Sequence, residues 1–305
     1  MENNTQIAIE QKTGYSKISG FIKLTKLKLS LLVVFSAVIS YYTIHYSKAN
    51  APQPSASIVM ALAIGGFLVT ASANAFNQVI ERDLDKLMKR TQNRPIPTQI
   101  LSPGESILFA MLCGISGTAL LYIFTNPLVG ILSLLSIVLY ALAYTPLKRV
   151  TPFSVFIGAI PGALPTLIGA IADSPGFGTI NTYPLFLYTI QFFWQFPHFW
   201  AIAWVSHDDY QRAGFFMLPS MGGRDYSSRF QILIYTLFLI PISLIPCIFG
   251  LSGIISAVVI FTCGILFFLQ AYKLYKDGTI ESARKLMFGS FIYLPVVQIA
   301  LMIGK

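Results

Sequence analysis

Residues 106–147 contain no charged side chain at all. About 20 apolar residues cross a bilayer as a helix, so this one stretch reads as two crossings joined by a short turn. Comparable apolar runs recur along the chain and predict nine spans. They lie near 24–44, 57–77, 106–124, 128–145, 153–171, 184–204, 230–249, 252–271 and 287–304. In lipid every backbone amide must find its partner inside the protein, which for such runs means helices. The expected fold class is therefore all-α: a polytopic membrane helical bundle with nine transmembrane helices. Composition agrees. The chain is 55% hydrophobic and 11% charged, against about 25% charged in soluble domains.

Charge bias sets the expected orientation. Nine spans with a cytoplasmic N-terminus place 19 of the 21 Lys and Arg residues inside, leaving only Lys48 and Lys305 outside. The inside groups are Lys12 to Lys28, Arg82 to Arg94, Lys148 with Arg149, Arg212 to Arg229, and Lys273 to Lys285. The formal net charge of +9 is then explained by topology and anionic membrane lipids, with no nucleic acid as partner. Cys113, Cys247 and Cys263 all fall within spans, without disulfide-like spacing, and read as packing residues. Residues 1–20 are polar and mix acid with base, unlike a cleavable signal or a transit peptide. They read as a cytoplasmic tail preceding one membrane domain over 21–305. A bacterial inner membrane is the expected location, with the C-terminus outside. Glycines such as Gly158 and Gly162 suit close helix contacts, and Pro161 and Pro165 predict a kink facing protein.

The decisive polar segment is NAFNQVIERDLDKLMKRTQNRPIP, residues 74–97. Asn77, Glu81 and Asp85 are four apart and form one stripe at the end of the second span, within about 80° of one another on a helix. Asp83 points the other way and reads as a solvated charge. Two carboxylates with an amide one turn above make a hard-oxygen site suited to Mg²⁺, which prefers carboxylates, water and substrate phosphates. Lys89, Arg90 and Arg94 follow closely and suit phosphate oxygens. A diphosphate leaves only when its developing charge is neutralised, and this combination does that. The bland alternative is a helix end with paired charges. Asp85 and Lys89 have the spacing for such a pair, but Glu81 has no partner on its own helix.

A second cluster lies in FFWQFPHFWAIAWVSHDDYQRAGFFMLP, residues 192–219. Gln195 and His198 share one helix face, and polar groups inside an apolar span imply partners or a functional cavity. On a continuous helix Asp209 returns to within about 20° of His198, which ranks it above Asp208. For His198 the readings are a structural hydrogen bond, contact with an acceptor substrate, general base action, or a bond to metal. His45 and His207, the other two histidines, lie near opposite faces, so no three-histidine zinc site is expected. ALAYTPLKRVTP, residues 141–152, brings Tyr144, Lys148 and Arg149 to the same inner side. Lys148 reads as a headgroup ligand or as a topological anchor.

These motifs together resemble the UbiA superfamily of intramembrane prenyltransferases. The family's first aspartate-rich pattern, N-x-x-x-D/E-x-x-x-D, is similar to Asn77, Glu81 and Asp85 here. The runs ERDLDKLMKRTQNRPIP, YTPLKRVTP, WQFPHFWAIAW and DYQRAGFFMLP resemble its heme-modifying branch, in which Gln195 and His198 stand where other members carry a second aspartate-rich motif. The resemblance implies nine helices around a central cavity and a diphosphate site near the cytoplasmic face. It implies transfer of the farnesyl group of farnesyl diphosphate to a vinyl carbon of heme B. On that basis Asn77, Glu81 and Asp85 are expected to hold Mg²⁺, with Arg90, Arg94, Tyr144, Lys148, Arg149 and Gln195 binding substrate and His198 and Asp209 assisting. Heme O would then serve a terminal oxidase, directly or through heme A synthase. Two rivals stand beside this reading: prenylation of an aromatic quinone precursor, and a membrane transporter or lipid-binding scaffold.

Overall fold

The computed structural model describes residues 17–48 and 52–304. The 1–16 part of the tail, with Lys12, the loop residues 49–51 and Lys305 lie outside the described residues. Nine long helices run through the rest: α1 (Leu27–Ser47), α2 (Ala56–Ile80), α3 (Pro103–Phe124), α4 (Pro127–Val138), α5 (Ser154–Ile171), α6 (Thr182–Val205), α7 (Tyr226–Ile248), α8 (Ile254–Asp277) and α9 (Ile280–Ile303). α4 continues through a widened π-turn at Leu139–Tyr144 into Thr145–Leu147. Residues 17–24 are also helical.

Among the described residues, eight of these helices are long and apolar enough to cross a membrane. The other is α6, which has the length, at 24 residues, but carries Gln191, Gln195 and His198. Its nine-helix setting makes it a polar helix held inside a membrane bundle, so the protein is a multi-pass membrane protein. The outer surface fits that environment, since Leu142, Ile123, Ile254 and Ile292 are all more than 60% exposed. In lipid such apolar exposure carries no penalty.

Local signals explain where the helices begin. Ser102 and Glu105 form a reciprocal capping box at the start of α3, followed by Pro103 at the first helical position. Asn126 caps α4 through the Val129 amide, and Asp225 caps α7 through Ser228.

Contacts group α2, α3, α4 and α5 on one side and α6 to α9 on the other, with α1 touching α2, α5, α6 and α9. One buried apolar cluster runs through α1 to α5, while the other spans α6 to α9 and takes in Tyr144, Val155, Ala159 and Ala170 from α4's extension and α5. α5 is the most enclosed span, so the freed carbonyls around its Pro161 and Pro165 face protein, as expected. Gln191 and Gln195 of α6 donate to the Gly162 and Ala159 carbonyls there. The α1–α5 contact is backbone-close: a Cβ on Gly169 would lie 1.8 Å from the Ala37 carbonyl oxygen.

The C-terminal ends of α2, α4 and α6 lie at one end of the bundle. The two long polar loops and most of the described Lys and Arg residues gather there, and this end is called the basic face below.

Candidate active site

At the end of α2 the helix breaks at Glu81, with φ −88° and ψ 3°, and resumes for one turn at Arg82–Asp85. The stripe survives the break. The Glu81 amide donates to the Asn77 carbonyl at 2.9 Å, and the Asp85 amide donates to the Glu81 carbonyl at 2.8 Å. Asn77, Glu81 and Asp85 therefore still follow one another at four-residue spacing. All three are buried, Asp85 completely. Asp83, as expected, is exposed and pairs with Lys86.

Each acid meets a cation, and neither cation is a neighbour one helical turn away. Lys148, at the end of α4, places Nζ 2.8 Å from Glu81 Oε1. Arg94 sets one nitrogen, Nη1, at 2.8 and 2.7 Å from the two Asp85 oxygens. Lys89 is not the partner of Asp85: its side chain is exposed, and only its backbone is engaged nearby. Burial holds the Asp85 carboxyl above the ordinary carboxylate range even beside Arg94. Burial also pulls the Lys148 amine down, but Glu81, helped by Tyr140 and Tyr210, more than reverses this and leaves it above the usual lysine range. The Tyr144 ring covers the same amine, with Nζ 4.3 Å from its centroid.

The π-turn in α4 positions this pair. The Thr145 amide reaches back to the Tyr140 carbonyl, as does the Thr145 hydroxyl at 2.8 Å. Asn77 Nδ2 donates to that hydroxyl oxygen at 3.1 Å, locking α2 to α4 one turn above Glu81.

Lys26 belongs to the site, although in the sequence it counts only toward topology. It stands just before α1 in the left-handed region, at φ 48°, an uncommon backbone for a residue with a side chain. Two amides of α2 hold the turn: Asn74 donates to the Thr25 carbonyl and Gln78 to the Leu24 carbonyl. Lys26 Nζ donates to Asn77 Oδ1 at 3.4 Å. Burial, with added repulsion from Arg94 and Lys148, pushes its amine down to about 7. The NAFNQ spelling, three amides within five residues, was the available signal.

Other expected residues are placed differently. α6 ends at Val205 and breaks at Ser206, so the helical projection from His198 to Asp209 does not hold. Asp209 accepts from the Lys89 and Arg90 amides at 3.2 and 3.3 Å and pairs with Arg212, clamping the two polar loops together. Arg90 is exposed and lies against Tyr210. Arg149 lines a cleft of about 470 Å³ between α2 and α4, together with Glu81 and Thr145. Gln195 is turned onto the α5 backbone at Ala159. His198 is buried, with Nδ1 2.7 Å from Ser290 Oγ of α9. The two polar segments are thus joined through Asp209 and by the Phe216 amide, which donates to the Lys148 carbonyl at 2.7 Å, whereas Gln195 and His198 bond to α5 and α9 instead.

Buried oxygens from Glu81, Asp85 and Asn77 fit a hard divalent cation such as Mg²⁺, and Lys148, Arg94 and Lys26 fit an anionic headgroup. Residues 32–294 match the UbiA prenyltransferase family. The chain belongs to the UbiA prenyltransferase family. It is 46% identical over 290 residues to a protoheme IX farnesyltransferase of Cytophaga hutchinsonii, covering 95% of this chain and 99% of that protein. Among solved UbiA-fold structures, a digeranylgeranylglyceryl phosphate synthase superposes with a TM-score of 0.75 at 20% identity, over 94% of this chain and 98% of the other. A UbiA homologue from Archaeoglobus fulgidus bound to DMAPP and Mg²⁺ superposes with a TM-score of 0.63 at 15% identity, covering 93% and 99%. These two likenesses establish the UbiA fold for the nine helices.

Proposed function

We propose that this chain transfers the farnesyl group of farnesyl diphosphate to a vinyl carbon of heme B, with addition of water, giving heme O and diphosphate. The observation that carries the reading is the pair of buried carboxylate–cation contacts, Glu81–Lys148 and Asp85–Arg94, beside Asn77. The activity in the name of the Cytophaga relative supports the choice of donor and acceptor, since the two chains align almost end to end.

Asn77, Glu81 and Asp85 would hold Mg²⁺, which neutralises the diphosphate as it leaves. The bound DMAPP and Mg²⁺ of the Archaeoglobus homologue support a divalent cation as the companion of the prenyl diphosphate. Lys148 and Arg94 exchange their carboxylate partners for phosphate oxygens, so each charge keeps a counter-charge throughout. Arg90 approaches from the loop clamped by Asp209, and Arg149 guards the cleft beside Glu81. The C1–O bond of the donor breaks with its electron pair going to diphosphate. The heme vinyl then supplies electrons to C1, and water captures the resulting carbon cation and releases a proton. A largely dry cavity must keep water from the farnesyl cation before the vinyl reaches it, and the buried Tyr144 ring beside Lys148 would form part of its wall. Gln195 and His198 line the acceptor side.

The basic face is the cytoplasmic face of a bacterial inner membrane in this reading, with the C-terminus outside. Heme O passes to heme A synthase or to a terminal oxidase.

The test is purified protein with heme B, farnesyl diphosphate and Mg²⁺, followed by mass analysis of the porphyrin. Gain of one farnesyl group and one hydroxyl is the expected result. Unchanged heme in the presence of intact, correctly inserted protein would overturn it.

A further inference from the structure

His198 carries a proton whose position the surrounding residues dictate. Its Nδ1 lies 2.7 Å from Ser290 Oγ. That hydroxyl has a single proton, and Ser290 Oγ is also 2.6 Å from the Met287 carbonyl oxygen. A carbonyl oxygen only accepts, so two oxygens this close require the hydroxyl proton between them. The serine can therefore only accept from His198, and the imidazole proton must sit on Nδ1.

A neutral ring protonated on Nδ1 leaves Nε2 as a bare lone pair. No described residue hydrogen-bonds Nε2. The ring is fixed by stacking on Trp194, with centroids 4.4 Å apart, and by the edge of Phe291 at 5.0 Å. Trp194 Nε1 in turn donates to the Ser290 carbonyl at 3.0 Å, tying the same two helices together. On α6, His198 shares the helix face of Gln191 and Gln195, which contacts α5 and α9. Nε2 is not sealed inside the protein, so a ligand can reach its lone pair.

We propose that Ser290 fixes this tautomer so that His198 Nε2 serves as an axial ligand to the iron of the heme acceptor. This rests on the reading above that the acceptor is a heme. Ligation suits the geometry better than base catalysis. A base at Nε2 would become an imidazolium, yet the ring lies among Trp194, Phe199 and Phe291, and its Nδ1 partner is a neutral hydroxyl with no carboxylate to stabilise that charge. The hydrogen bond to Nδ1 also raises the donor strength of the opposite nitrogen, as outer partners of metal-bound histidines do. Ser290 is accordingly a positioning residue.

The experiment uses the full chain in nanodiscs, titrated with ferrous or ferric heme B and, in parallel, with metal-free protoporphyrin IX. Wild type should bind heme more tightly than the metal-free ring and show an iron–histidine stretch in the resonance Raman spectrum. His198→Gly should lose both the preference and the stretch, and added imidazole should restore the stretch. Ser290→Ala keeps the ring but frees its tautomer, and should weaken the heme preference about tenfold. An unchanged iron–histidine signal in His198→Gly, with heme still bound, would overturn the ligation while leaving the farnesyl transfer intact. Failure of wild type to bind either porphyrin would instead remove the acceptor reading and this inference with it.

Discussion

Glu81 and Lys148 face each other across 2.8 Å with almost no solvent contact, so removing either strands a charge in the protein interior. Such a loss costs about 3–5 kcal/mol in stability. Glu81→Ala and Asp85→Ala should insert into the membrane yet release diphosphate at least about 100-fold more slowly. A turnover assay with a membrane-fraction blot checks both halves, and near-native turnover in either variant removes that residue from the mechanism. Lys26 yields a pH prediction. Its folded-state value of about 7 lies below that of a free lysine, so the unfolded chain binds the extra proton at higher pH. The penalty for charging the buried amine is thus complete below pH 7 and fades as pH rises toward about 10. Lys26→Met should be most stabilising, relative to wild type, near pH 6, and the difference should shrink with rising pH. Melting temperatures of the two proteins across that range give the answer, and a pH-independent gap would contradict it.

At the scale of elements, the site depends on how α2, α4 and the two polar loops are joined. Asp209 clamps the loop carrying Arg90 through two backbone amides, rather than extending the helix face of His198. Asp209→Ala should raise the KM for farnesyl diphosphate and loosen the 89–90 segment to proteolysis, with Mn²⁺ affinity in the presence of diphosphate little changed. A large loss of metal affinity would make Asp209 a ligand instead. The α1–α5 crossing is a second joint. Gly169→Ala drives a methyl group into the Ala37 carbonyl, a backbone atom with no rotamer to yield, whereas Gly66→Ala meets only Val34 at 3.9 Å. Overpacking of this kind costs about 1–3 kcal/mol. Thermal unfolding in detergent should therefore separate the two variants clearly, with Gly169→Ala the less stable.

For the whole molecule, the orientation of the basic face is open to direct measurement. With Cys113, Cys247 and Cys263 replaced by alanine, a cysteine at Gln92 should label with a membrane-impermeant maleimide only in inverted vesicles. One at Thr179, on the opposite face, should label in intact cells. The reverse pattern would invert the assignment of the cytoplasmic side. The nine spans were legible in the sequence, closely for 153–171 against Ser154–Ile171 and within several residues for others, such as 287–304 against Ile280–Ile303. Even the odd character of the sixth was visible, since Gln191, Gln195 and His198 interrupt its apolar run.

Hydrophobicity is a property each segment carries alone, and lipid demands the same of every crossing, so the amino-acid order alone determined the helix count and the gathering of charge at one end. The Asn77–Glu81–Asp85 stripe was legible for the same reason, being set by the pitch of one helix. Which charge neutralises which was decided only by tertiary structure. Lys148 reaches Glu81 from 67 residues away, and the helix break at Ser206 swings Asp209 from the His198 face to the neighbouring loop. Partner choice depends on where separate helices meet, and that follows from packing of the whole bundle, which no local period encodes.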